Sequence, residues 1–209
     1  MEGGLIPTGA STRNAGFACF GSVSELVGDA QTMGVEKMLK VAEMRFKGLE
    51  RIRKYFSREE IDFSLCGGYE LYEEGAVPTG KLYENISYLN RLLQPITGKK
   101  KTYRLANEKI SEFGFGNTTH LVENRLEGYL HSGKLLQALL QKVQGMGVTV
   151  LTNVEIRHMQ PYAGSVAIET ANCVPLTGDK VLLCTNAFTR QLLPEEDIVP
   201  ARGQVILSS

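Results

Sequence analysis

One stretch limits what this chain can become more than any other: Gly9 to Gly21, which reads Gly-Ala-Ser-Thr-Arg-Asn-Ala-Gly-Phe-Ala-Cys-Phe-Gly. Three glycines, three alanines, one Arg and one Asn precede apolar residues that open a helix. With so few side chains in the way, such a backbone approaches a flat or anionic ligand closely. Successive N–H groups at the mouth of a helix make an anion-binding concavity, and Arg13 adds charge to it. Composition alone serves a glycine-rich surface loop equally well.

Two further stretches separate these readings: Glu127-Gly-Tyr-Leu-His-Ser-Gly-Lys-Leu-Leu-Gln-Ala-Leu, and Lys180-Val-Leu-Leu-Cys-Thr-Asn-Ala-Phe-Thr followed by Val199-Pro-Ala-Arg-Gly-Gln. Together with Gly9 to Phe17, and in this order, they resemble the D-amino-acid oxidase superfamily, which includes glycine oxidase, sarcosine oxidase and D-amino-acid dehydrogenases. The likeness runs from end to end and is specific for the superfamily, not for one substrate. It implies FAD as cofactor. It implies that Ser11, Thr12, Arg13, Asn14, Ala15 and Gly16 pass beneath the flavin, with backbone and small residues next to the pyrophosphate, ribityl chain and ring. Dinucleotide folds end the second strand on an acidic residue that holds the ribose hydroxyls, and Glu2 stands in that place. By the same resemblance Val154 reads the adenine edge with its backbone, although plain strand packing explains it equally well. A Thr-Gly-Ala-type turn of the family corresponds to Thr185-Asn186-Ala187, where Asn186 replaces the usual Gly.

The implied reaction removes hydride from a carbon bearing an amine, with an imine product that hydrolyses; the flavin carries the chemistry and the protein supplies position and electrostatics. The partner is then a small-molecule amine or amino acid, and no residue is assigned as catalytic acid or base. No Gly-x-Gly-x-x-Gly precedes Gly9. The chain is therefore expected to be an internal fragment, inactive alone, that begins at the end of the second strand and stops mid-sheet in Gly203 to Ser209. Two rival readings are a non-catalytic truncated module and the flavin half of a tRNA-modifying enzyme.

The expected fold is α/β: a partial FAD-binding, Rossmann-like domain (residues 1–55 and 132–193) plus a substrate domain with a mixed or antiparallel sheet (63–130 and 200–209). At 209 residues and 43% hydrophobic content one or two domains with a sizeable core are affordable. Formal net charge is zero, with 23 basic and 23 acidic residues. No basic excess exists to release counterions, which argues against nucleic acid, anionic membranes and the tRNA reading. Cys19, Cys66, Cys173 and Cys184 lack metal-type spacing and sit in apolar surroundings, so buried free thiols and a cytoplasmic location are expected. No apolar run is long enough to span a membrane.

In chain order, Ser22 or Ser24 caps a short helix through Asp29. A longer helix from Val35 to Tyr55 follows, with Met38, Val41, Ala42, Phe46, Leu49, Ile52 and Phe56 on one face and Glu36/Lys40, Glu43/Lys47 and Glu50/Lys54 as solvated i,i+4 pairs. After a turn at 57–62, residues 63–72 read as a strand with a bulge at Gly67-Gly68. Gly75 to Leu82 nearly spells a phosphate loop, but Leu82 stands where a magnesium-binding hydroxyl belongs and Pro78 lacks an N–H; residues 79–93 read as a helix. Lys99 to Lys101 is a solvated turn. Phe113 to His120 is either irregular core or a lid over a substrate pocket, with His120 a structural group. A strand over 126–130 precedes a helix capped by Ser132 and ended by Gly145 and Gly147. Val148 to Leu151 and Val181 to Cys184 read as buried parallel strands, with a meander over 154–176 between them. Asn186 caps a last helix, 187–193.

Overall fold

Within Gly16–Leu139, one of two units into which the chain divides, a two-residue strand β1 (Phe17–Ala18) leads into helix α1 (Val23–Met33). The computed structural model describes residues 1–172, 174–201, 203, 205 and 206. Ser22 starts α1 by accepting the Glu25 N–H, and the Glu70 carboxylate accepts those of Val23 and Ser24. These acceptors satisfy donors that the first helical turn cannot pair by itself. Gly34, at φ +84, turns the chain into α2 (Val35–Tyr55), whose Met38, Ala42 and Leu49 are buried as their spacing requires.

Ser57 and Glu60 form a reciprocal capping box that makes the expected turn at 57–62 a short helix, α3 (Arg58–Ile61). Next come β2 (Gly68–Glu73), α4 (Thr79–Thr97), β3 (Tyr103–Leu105), β4 (Thr118–Asn124), β5 (Gly128–Tyr129) and α5 (Ser132–Gly145). Strands β2, β4 and β3 pair antiparallel in that spatial order, and β1 pairs with β5. Tyr72, Val122 and Tyr103 project from the sheet into a core with Phe20, Leu26, Met38, Leu82, Leu89 and Leu93, so that α1, α2 and α4 cover one face. Asn90 of α4 clamps the edge strand by donating to the Tyr103 carbonyl (2.9 Å) and accepting the Tyr103 N–H (2.8 Å). A second cluster of Ala18, Leu49, Phe56, Ile61, Phe63 and Ala138 joins β1, α2, α3 and α5.

The other unit, Met1–Ala15 with Leu140–Ser209, holds the antiparallel meander β6 (Ile156–Tyr162), β7 (Ser165–Thr170) and β8 (Leu176–Gly178). Ala163 (φ +46) and Gly164 (φ +84) make the tight β6–β7 turn, both in the left-handed region that a two-residue hairpin demands. A 3-10 turn (Asn186–Phe188) runs into α6 (Thr189–Leu192). The architecture is mixed α/β with helices and antiparallel sheets.

Helices α1 and α2 share their core with α4 and the β2-β4-β3 sheet, within Gly16–Leu139. Several expectations change. The register shift falls between Tyr72 and Glu73, and Phe63 to Leu65 contributes only the bridge Ser64–Tyr129. His131, one residue before Ser132, holds the N-cap position of α5, its Nδ1 accepting from the Lys134 N–H at 3.3 Å. Residues 148–151 and 181–184 form no strand, and Val148 (52% exposed) and Leu182 (87%) lie open. An apolar run becomes a central strand only between two pairing neighbours; among the described residues the run at 181–184 has none, and that at 148–151 has only the contact of the Leu151 carbonyl with the Glu2 N–H. Cys19, Cys66 and Cys184 are exposed rather than buried; Cys173 and most of the strand expected over 203–209 fall outside the described residues.

Candidate functional site

Glu2 and Val154, far apart in sequence, are brought together by backbone pairing. The Glu2 N–H donates to the Leu151 carbonyl (2.8 Å), the Val154 N–H to the Glu2 carbonyl (3.0 Å), and the Asn153 N–H to the Gly4 carbonyl (2.8 Å). The Glu2 carboxylate accepts the Gly4 N–H through Oε1 at 3.0 Å, while Oε2 has no hydrogen bond among the described residues. A fixed carboxylate with one oxygen left over is suited to a diol, which needs an acceptor for each hydroxyl. The Val154 N–H is already engaged, which leaves its carbonyl as the backbone atom available to a ligand edge.

The stretch from Gly9 to Ala15 is held by its own hydrogen bonds. Gly9, at φ +80, begins a 3-10 turn (Gly9–Ser11), and the N–H groups of Thr12 (3.2 Å) and Arg13 (2.8 Å) both donate to its carbonyl. Asn14 Nδ2 donates to the Ala10 and Ser11 carbonyls at 2.9 and 3.2 Å. Two of the N–H groups expected to face an anion thus turn inward, and the polar atoms presented outward include the exposed Ser11 hydroxyl and Arg13 guanidinium. The loop carries no large apolar side chain between Gly9 and Gly16, so a flat ligand meets backbone, methyl and hydroxyl groups.

Gly16 is glycine for a reason that lies in the protein. It is buried at φ +67, its carbonyl accepts the Leu130 N–H at 2.8 Å, and a Cβ there would sit 2.2 Å from the Leu130 carbonyl oxygen. Gly128 is constrained likewise, with a Cβ falling 1.9 Å from the Ser64 carbonyl oxygen. Close packing of three backbone segments therefore accounts for both glycines without a ligand.

Thr185 and Asn186 stand at the start of the last 3-10 turn. Thr185 Oγ1 lies 3.0 Å from Thr189 Oγ1, and Thr189 Oγ1 donates to the Asn186 carbonyl at 2.7 Å. Asn186 has φ +43. After glycine, Asn is the residue that enters this left-handed region most readily, so the replacement of Gly keeps the backbone shape. It opens the turn and does not cap a helix with its side chain.

Sequence reasoning missed two buried carboxylates of the central unit. Glu127 is 8% exposed and accepts the N–H groups of Phe20 (2.9 Å) and Gly21 (3.4 Å), while a Cβ on Gly68 would lie 2.4 Å from its Oε2. Burial raises its carboxyl to about 7, against the pull of the two N–H groups and with help from the charge of Glu25. The visible signal was its position before Gly128, in a motif read only for resemblance. Glu123, 4% exposed, accepts from Lys109, Arg104, Arg125 and the Tyr69 hydroxyl. Burial acts to raise its carboxyl, but those donors together pull it down to about 2. Lys109 also lies over the Tyr69 and Phe113 rings, so the 113–115 stretch is packed onto this group, with both phenylalanines partly exposed. His120 is a satisfied structural group, between Thr79 Oγ1 (3.0 Å) and Asn107 Nδ2 (3.1 Å).

Comparison with known proteins gives this geometry its context. The family model "DAO: FAD dependent oxidoreductase" matches residues 1–209. No curated protein sequence matches the chain. Among solved structures, the chain is similar to glycine oxidase from Geobacillus kaustophilus (TM-score 0.61, 16% identity, 91% of this chain and 49% of that one). It is similar also to iminodiacetate oxidase from Chelativorans sp. BNC1 (0.65, 17%, 91% and 49%) and L-proline dehydrogenase from P. horikoshii (0.59, 16%, 74% and 40%). At these identities the likeness is one of fold, and the chain spans about half the length or less of these proteins. A whole-chain match, on a mixed α/β fold, assigns the chain to the DAO family of FAD-dependent oxidoreductases.

Proposed function

We propose that the complete protein oxidises an amine or amino acid, and that this chain contributes part of its FAD site. The observation that carries the reading is the pairing of Glu2 with 151–154, because it sets a carboxylate suited to ribose hydroxyls beside the strand entry at Val154. The residues present fit a dinucleotide: Glu2 for the diol, the Val154 carbonyl for the adenine amine, and Ser11 and Arg13 for phosphate oxygens. Ala15 offers a surface that excludes little volume, and Thr185-Asn186 supplies a second turn. When bound, the flavin supplies the acceptor for hydride leaving the carbon next to nitrogen. The protein's own part is to orient the substrate, and no residue of this chain is given an acid or base role.

The partner is a small-molecule amine or amino acid, in keeping with the substrates that the matched oxidases and dehydrogenase are named for. Three exposed free cysteines, Cys19, Cys66 and Cys184, favour a reducing compartment, the cytoplasm. No described helix is long and apolar enough to cross a membrane. The ribose assignment is tested by FAD titration of the complete protein. Glu2→Ala should weaken binding by about 1.5 to 3 kcal/mol, the scale of a charged hydrogen bond, and an unchanged Kd would show that Glu2 does not hold the ribose.

A further inference from the structure

The end of α2 and the start of α3 enclose a cleft of about 740 Å³ lined by Lys47, Arg51, Arg53, Lys54 and Arg58, against a single carboxylate, Glu50. In a chain of zero net charge this is a marked local excess. Lys47, Arg51 and Lys54 recur at i, i+4 and i+7 and so share one helix face, a stripe of about 10 Å at 1.5 Å per residue. Arg58 continues it from the next element. The expected Glu50/Lys54 pair does not form; Glu50 turns to Arg53 (3.6 Å) and Lys47 pairs with Glu43 (2.5 Å). Arg51, Lys54 and Arg58 have no ion pair among the described residues.

Local stability accounts for only part of this arrangement. Cations in a last helical turn complement the helix dipole, which explains Arg53 and Lys54. Lys47 is held by its i,i+4 pair with Glu43, whereas Arg51 lies before the last turn of α2, and Arg58 belongs to α3, a single turn with too little dipole to favour a cation. The aromatic floor, Phe56 and Phe63, is 7% and 6% exposed, with Arg53 over the Phe63 ring. Buried rings offer no platform for base stacking, so the recognition is by charge alone and not by the stacking that nucleic-acid sites use.

We propose that this cleft docks an acidic segment of a partner protein in extended conformation. Same-face side chains of an extended chain recur every 6 to 7 Å or so. At that spacing two or three carboxylates span the stripe of about 10 Å, whereas a single phosphate would engage one or two of its cations. The proposal is independent of the flavin reading.

Fluorescence anisotropy of the whole chain with a labelled peptide of alternating Asp and Glu tests it, at low and at physiological salt. Saturable binding is expected, weakened by salt. Neutralising the unpaired cations (Arg51→Gln, Lys54→Gln, Arg58→Gln) should raise Kd about tenfold, the sum of three exposed charge contacts. The same change at the solvated turn (Lys99→Gln, Lys100→Gln, Lys101→Gln) should alter it less than twofold. Circular dichroism verifies that both variants are folded, and if the first is not, a Lys-rich peptide of equal length must fail to bind the unaltered chain. Equal loss in the two variants would reduce the effect to bulk charge. Absence of peptide binding, or tighter binding of inorganic triphosphate or a short single-stranded RNA than of the peptide, would overturn the proposal.

Discussion

Glu127 shows at the scale of one residue how burial sets a pH response. Its carboxyl stands at about 7 in the folded chain, above the ordinary 4.5, because burial disfavours its charge. A raised folded-state value means that the folded form binds more protons between these limits. Its contribution to stability is therefore fully present below about pH 4.5 and lost as pH rises through 7. The loss amounts to about 3 kcal/mol. Glu127→Gln, which keeps an acceptor for the Phe20 and Gly21 N–H groups without the charge, should remove that decline: urea denaturation at about pH 5 and pH 8 should separate the two proteins at the higher pH only. Equal pH dependence would mean that Glu127 titrates normally. Gly16→Ala belongs to the same scale. Its added carbon meets the Leu130 carbonyl oxygen at 2.2 Å at a φ of +67, so a cost of at least about 2 kcal/mol in stability is expected. A neutral result in thermal melting would show that the backbone there yields freely.

At the scale of elements, the pairing of α4 with β3 rests on Asn90, which meets both polar groups of the Tyr103 peptide backbone. Asn90→Ala leaves those groups without their partner in a half-buried place and should cost about 1 to 3 kcal/mol. Hydrogen exchange should speed up at Tyr103 before it does in α2; unchanged protection would contradict the clamp. Elements made by local signals were legible in the sequence: α1 from Ser22, α2 from its apolar spacing, the β6–β7 turn from Ala163-Gly164. Elements made by distant partners were not. Strand β4 is a run of Thr-Thr-His-Leu-Val-Glu-Asn that acquires its meaning from β2 on one side and β3 on the other. Val181 to Cys184 carries a stronger strand signal and forms none, because pairing is a property of two segments and periodicity describes one.

For the whole molecule, family and cofactor were readable from three motifs in order, since a small-residue loop with that wording is hard to reach by chance. What the motifs do physically was not. Gly16 and Gly128 are fixed by backbone contacts with Leu130 and Ser64, segments remote in sequence, and no reading of one stretch reveals such an approach. Glu2 and Val154 entered separately and meet only in the fold. The central claim is that the loop before Gly16 lies against flavin, and Ala15 separates it from a purely structural loop. Ala15 ends the 9–15 segment, next to a glycine whose role is already accounted for, so a large side chain there acts on the ligand and leaves the Gly16 packing in place. The deciding measurement is FAD titration of the complete protein carrying Ala15→Leu, followed by absorbance near about 450 nm, where oxidised flavins absorb, with circular dichroism as the check on folding. A folded variant that no longer binds FAD is the result predicted; a folded variant that binds it with unaltered affinity would contradict the account.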